Sequence, residues 1–142
     1  MGAELTALQA LIDDAPFHRW LGIKAILATA DSIELMVAWQ PDFSGHSERH
    51  YVHGGILSSL VDLAGYYAVA VRRSPPISTV DLHVDFLRAA IATDLRVSAS
   101  VENDTRALAW SKAQVFDAEG NVVAMGRGLY RTPDFLSQSR RK

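Results

Sequence analysis

The sequence predicts an α+β fold, an antiparallel sheet of about six strands wrapped around one long central helix, with a short helix at the N-terminus. Three patterns point to it. A long apolar stripe at helical spacing occupies residues 56–71. Period-two alternation of apolar and polar residues dominates the chain after Pro76. No alternation of strands with helices follows that point, which excludes a doubly wound parallel sheet.

Leu5, Leu8, Leu11 and Ile12 recur at helical spacing, so residues 1–15 read as a short amphipathic helix that ends before Pro16. Two β-prone stretches, around 23–27 and 33–39, flank Asp31-Ser32 and predict a hairpin. Residues 40–52 are polar, contain Pro41, Gly45, His46 and His50, and read as an irregular loop of the kind that carries function. Ile56, Leu57, Leu60, Leu63, Ala64, Tyr67, Ala68 and Val71 predict a helix of about five turns, stopped after Arg72-Arg73 by Ser74-Pro75-Pro76.

In the strands that follow, Val80, Leu82, Val84 and Phe86 alternate with Thr79, Asp81, His83 and Asp85, which places Thr79 on the polar face. Val97, Ala99 and Val101 alternate with Arg96, Ser98 and Ser100. Two more strands, near 107–116 and 122–131, are joined by a turn at 117–121. Ala107, Ala109, Ser111, Ala113 and Val115 share one face, small enough to let the sheet approach a helix closely.

At 142 residues, 49% hydrophobic and 21% charged, the chain reads as one domain, 1–142, with a polar tail at 133–142. A formal net charge of -2 with scattered basic residues lacks the cationic footprint of a nucleic-acid binder. With no cysteine there is no disulfide framework, thiolate nucleophile or Cys-based zinc site, which suits a cytoplasmic protein. No apolar run is expected to reach the length of a membrane span, and Glu4, Asp13 and Asp14 stand where a signal peptide carries positive charge.

His53-Gly54-Gly55 lies where loop becomes helix. Two glycines there leave backbone N–H groups unshielded at the positive end of the helix dipole, where they can hold the oxyanion that forms when an acyl group is attacked. In isolation the tripeptide is also what a tight turn beside a surface histidine requires. Asp62 adds weight, because it is the single acid of the helix after Gly54. At about 100° per residue it shares a face with Ser58, Ser59, Gly65 and Tyr66, beside the apolar stripe.

In a monomer that face would be wet and the acid idle; a partner subunit packed there would desolvate the carboxylate and sharpen its reactivity. Nine residues separate His53 from Asp62, on the order of 13 Å of helix, so one substrate carbon cannot touch both. If both serve one reaction, the helix N-terminus of one subunit must meet Asp62 of another across a two-fold axis.

The stretch HGGILSSLVDLAGYYAVA, followed by STVDLHVDFLRAA and AEGNVVAMGRGLY, resembles the hot-dog-fold acyl-CoA thioesterases. The branch it is similar to is the phenylacetate-degradation type of the 4-hydroxybenzoyl-CoA thioesterase-like superfamily, and the likeness spans roughly residues 16–132. The resemblance implies a hot-dog fold, hydrolysis of an acyl-CoA thioester, and a homodimer often paired into a homotetramer. It implies no cofactor beyond the coenzyme A carried by the substrate.

Carried over residue by residue, the resemblance implies that the Gly54 N–H polarises the thioester carbonyl and that Asp62 of the other subunit acts as general base or nucleophile. His53 would orient the loop and help hold the carbonyl, and Thr79 would position the attacking water. Ser47, Gly55, Tyr66 and Arg88 are the substrate-binding candidates, Arg88 for the phosphates of coenzyme A. Arg72, Arg73 and Arg106 could serve the same phosphates, and each also reads as a solvated surface charge. Two positions depart from the family pattern: Ser47 stands where Asn or Gln is usual, and Ala89 replaces the proline after F-L-R.

Other chemistries find less in the sequence. His46, His50, His53 and His83 lack paired metal-ligand spacing, so no metal is expected. No G-x-S-x-G elbow, G-x-G-x-x-G or P-loop occurs. Within the fold class, a dehydratase or hydratase and a non-catalytic acyl-CoA sensor are the alternatives to a hydrolase. The acyl group stays open: Phe17, Trp39, Phe43, Tyr66 and Tyr67 could line its pocket or belong to the core.

Overall fold

The computed structural model describes residues 2–133. Two N-terminal helices, α1 (Ala3–Asp13) and α2 (Pro16–Leu21), lead into strands β1 (Lys24–Ala28) and β2 (Ser32–Val37). A 3-10 turn at Pro41–Phe43 and an irregular loop come next, then helix α3 (Gly54–Arg72). Strands β3 (Ser78–Phe86), β4 (Leu95–Asp104), β5 (Leu108–Phe116) and β6 (Val122–Arg131) follow within the described residues. The six strands form one antiparallel sheet in the order β1-β2-β4-β5-β6-β3, so β1 and β3 are its edges. This is the hot-dog arrangement that the sequence predicts.

Helix α3 packs on β5, β4, β6 and β2. The closeness of that packing comes from missing side chains. Ala109, Ser111, Ala113 and Val115 on β5 are buried against it, and the Ser111 hydroxyl donates to the Gly65 carbonyl at 2.9 Å. A Cβ at Gly65 would lie 2.3 Å from the Tyr130 hydroxyl oxygen, and one at Gly128 would lie 2.2 Å from it. Only glycine at both positions leaves space for the Tyr130 ring between β6 and the helix. Gly65 is therefore buried rather than on the open face beside Asp62, because the sheet covers more of the helix circumference than one stripe.

Three further features differ from expectation. Helix α2 is an element that the sequence reading passed over; Pro16 at its start and Gly22 at φ +71° in its C-cap position supply its boundaries. Helix α3 does reach the length and apolarity of a bilayer span, with mean hydropathy 1.4, but half of that window is buried inside the fold, and its apolar residues are the core. Strand β3 is an edge strand whose Val80 and Phe86 are exposed. The turn at 117–121 forms as expected, with the Asp117 carboxylate accepting from the N–H groups of Glu119 and Asn121 and Gly120 at φ +86°. Of the polar tail, residues 134–142 lie outside the described residues.

Candidate active site

Helix α3 begins on a pinned loop. The His53 N–H donates to the Phe43 carbonyl at 2.7 Å, Gly45 N–H to Tyr51 carbonyl at 2.9 Å, and Val52 N–H to Ala90 carbonyl at 2.9 Å. Gly45 is required there, since a Cβ would sit 2.4 Å from the Tyr51 ring. His53 is the N-cap, and its Nδ1 accepts from the Gly55 N–H at 2.8 Å. That bond leaves the ring proton on Nε2, as a donor. Among the described residues no acceptor takes the Gly54 N–H, which stands at the positive end of a 19-residue helix. Gly55 thus serves the cap, and Gly54 is the donor left for a ligand.

Asp62 lies eight residues further on, about 12 Å along the axis. Its Oδ1 accepts from the Thr79 hydroxyl at 2.8 Å, and its backbone carbonyl accepts from the buried Tyr130 hydroxyl at 2.7 Å. Burial, with the nearby Asp62 charge, pushes the Tyr130 phenol far above its ordinary value, so it remains a donor. Thr79 reaches Asp62 because β3 carries a bulge. The register shifts between Thr79 and Asp81, so Thr79 pairs with the inward Tyr130 while Leu82 and Val84 pair with Gly128 and Gly126. Strict alternation would have turned Thr79 outward with Asp81 and His83; the extra residue, Val80, reverses its facing.

Asp62, Thr79 and Tyr66 line a cleft of about 270 Å³ closed on its other side by Leu11, Ala15 and His18. Tyr67, also in the lining, places its hydroxyl 2.7 Å from His18 Nδ1. Burial pushes the Tyr67 phenol up to about 12, with Tyr66, Asp14 and Asp13 adding to it. Burial also raises the Tyr66 phenol, and it lowers the His18 imidazole against the opposing pull of Asp62. At neutral pH both groups are therefore uncharged, and the direction of the hydrogen bond between them follows the imidazole tautomer.

The remaining predicted residues lie apart. Ser47 is exposed and borders a separate loop cleft with His46 and His50. Arg88 is exposed just past β3, close enough to Asp117 to favour that carboxylate. Arg72 pairs with Asp104 at 3.0 Å, and Arg73 donates to the Thr105 and Arg106 carbonyls, so both brace the end of α3. Phe43 is buried against Trp20 and Trp39, while Phe17 stacks on Trp20 at the surface.

The thioesterase superfamily model matches residues 50–124, more than half of the chain and the segment that carries Gly54, Asp62 and Thr79. The chain belongs to the thioesterase superfamily. It is 31% identical over 135 residues to a provisionally named esterase of Halobacterium salinarum, covering 87% of this chain and 89% of that one. It is 25% identical over 152 residues to the medium/long-chain acyl-CoA thioesterase YigI of Escherichia coli, covering 92% and 98%. A solved structure of a protein from the same superfamily superposes with TM-score 0.89 at 38% identity, over 93% of this chain and all of that one. The PaaI protein of the E. coli phenylacetic acid degradation operon shares the fold, with TM-score 0.78 at 22% identity over 92% and 94%.

In this thioesterase fold, His18 and Tyr67 are cleft residues that sequence reasoning did not single out for a polar role. Tyr67 fits the apolar stripe, so its hydroxyl was invisible to periodicity. The signal for His18 was the Pro16–Gly22 bracket, which marks a short helix with His18 inside it.

Proposed function

We propose that the protein hydrolyses acyl-CoA thioesters in a homodimer, with the thioester carbonyl held by the Gly54 N–H of one subunit and attacked under the control of Asp62 of its partner. Water adds to the carbonyl carbon as Asp62 takes its proton, the C–S bond breaks, and the thiolate of coenzyme A leaves and is protonated; a nucleophilic Asp62 would pass through an acyl anhydride instead. Thr79 orients the Asp62 carboxylate, and His53 offers Nε2–H to the carbonyl. The observation that carries this reading is an unpartnered Gly54 N–H and a Thr79-anchored carboxylate on one helix, about 12 Å apart.

Strand β3 supports the dimer. It is an edge, with Val80 and Phe86 exposed and Ile77, Leu87 and Ile91 exposed around it. Its start touches Asp62 through Thr79, and its end covers Gly54 through Phe86, whose ring lies 3.4 Å from where a Gly54 Cβ would be. A second copy paired antiparallel along β3 would therefore bring its Asp62 end towards this Gly54 end. A tetramer would then join two such dimers. Arg88, past the same strand, is the candidate for the coenzyme A phosphates. A cysteine-free chain suits the reducing cytoplasm, where such substrates occur.

The test is thiol release from a panel of acyl-CoA esters by wild type and Asp62→Asn. We expect turnover to fall by about a hundredfold or more in the variant with the fold unchanged by circular dichroism. Equal turnover would refute the role of Asp62. Hydration of an enoyl-CoA without thiol release would point to a dehydratase, and tight binding without turnover to a sensor.

A further inference from the structure

The geometry points to a linear acyl chain of roughly ten to twelve carbons as the group this site accepts, lying in a groove between α1 and the C-terminal half of α3. This deepens the thioesterase reading and rests on it. The Asp62 cleft does not end at α1. Leu11, 36% exposed, lines both that cleft and a second one of about 420 Å³. The second cleft is walled by Ala7, Leu8, Ala28, Ala70 and Val71, with Thr29 and Glu4 as its polar members.

The two clefts meet at Leu11, and their lining residues fall in line. On α3 the lining residues Leu63, Tyr67, Ala70 and Val71 stand at i, i+4, i+7 and i+8, which is a single helical stripe. On α1 and its C-cap the residues Ala7, Leu11 and Asp14 stand at i, i+4 and i+7. The α1 C-terminus faces Asp62 while its N-terminus faces Val71, so the helices run antiparallel along the path. Polarity changes along it. Asp14, His18, Asp62 and Thr79 gather at the reacting end, and beyond Leu11 the walls are apolar apart from Thr29, with Glu4 at the far rim. A thioester with an alkyl tail has the same polarity gradient.

Length follows from helix geometry. Asp62 to Val71 is nine residues and Asp14 to Glu4 is ten, which is roughly 13–15 Å of path. An extended alkyl chain advances roughly 1.25 Å per carbon, the projection of a C–C bond of about 1.52 Å at an angle of about 111°. The path therefore takes about ten to twelve carbons before the tail meets Glu4 and solvent. Each methylene seated beyond Leu11 is worth up to about fourfold in binding.

The experiment measures kcat/KM for saturated acyl-CoA esters from four to sixteen carbons, with wild type, Ala7→Trp and Leu11→Ala. Ala7 is an exposed helix position remote from the reacting groups, so the indole should fill the far groove without disturbing the fold. We expect a wild-type optimum at ten to twelve carbons. Ala7→Trp should cut the activity on those esters by about tenfold or more, about two seated methylenes, while leaving the four-carbon ester within about twofold. Leu11→Ala, which widens the junction, should move the optimum to longer chains. A flat profile, an optimum at four carbons or on aryl esters, or an equal loss at every length in Ala7→Trp would overturn the inference. If no ester is hydrolysed, the thioesterase reading fails, and the groove is still decided by calorimetry with non-hydrolysable alkyl thioethers of coenzyme A. Affinity should then rise with chain length to ten to twelve carbons in wild type and stop rising early in Ala7→Trp; equal affinities at all lengths refute it.

Discussion

The separation of Gly54 from Asp62 makes the shared site testable by subunit mixing. Gly54→Pro deletes the N–H and little else. Proline is tolerated at the first helical position, where the N–H has no intrahelical acceptor. His53, at φ -57° and ψ 136°, already has the extended backbone that a following proline demands. The added Cβ would lie 3.4 Å from the Phe86 ring, an ordinary contact. Losing one oxyanion donor costs about 10²–10³ in turnover, so Gly54→Pro and Asp62→Asn homodimers should each be nearly silent.

In a hybrid dimer, one site combines the intact Gly54 of the Asp62→Asn subunit with the intact Asp62 of the Gly54→Pro subunit, and the other site has neither. Random re-association of equal amounts makes about half the dimers hybrid, each with one of two sites working, so about a quarter of wild-type activity should return. Purifying the hybrid through two different tags should raise that to about half. The assay is thiol release, with native mass spectrometry counting the hybrids. Verified hybrids that stay as silent as their parents would show that the 12 Å argument, and with it the two-subunit site, is wrong.

Thr79→Val removes the donor to Asp62 Oδ1, and hydrogen bonds to charged groups are worth about 1.5–3 kcal/mol, so kcat should fall roughly tenfold to a hundredfold with KM little changed. Thr79→Ser should recover most of it; a fully active valine variant contradicts the positioning role. His18 makes a pH prediction. Burial lowers its folded pKa below 6.5, so between the two values the unfolded chain binds more protons, and the stabilisation present above pH 6.5 is lost as the pH falls through the folded value. Melting curves from pH 7 to pH 5 should therefore drop more steeply in wild type than in His18→Gln; parallel curves would contradict the lowered value.

Much of this protein was legible without coordinates because its signals are periodic or local. The stripe from Ile56 to Val71 identified α3, alternation identified the strands, and His53-Gly54-Gly55 marked the start of α3, whose one acid is Asp62. These depend on repeats of 3.6 and 2.0 residues or on neighbours in the chain, which a sequence displays directly. Even the proposal of a two-subunit site needs only the 1.5 Å helix rise.

Other features arise where distant segments meet. One bulge residue, Val80, turns Thr79 from the polar face towards Asp62, and no local pattern announces an insertion that exists only relative to β6. Gly65 and Gly128 look like ordinary small residues until the Tyr130 ring is set between them. His18 and Tyr67 are 49 positions apart, and their hydrogen bond depends on how α2 docks on α3. Composition and periodicity thus determine which elements form and which backbone groups they leave exposed. Register and docking, set by steric fit between segments far apart in the chain, determine what stands beside Asp62.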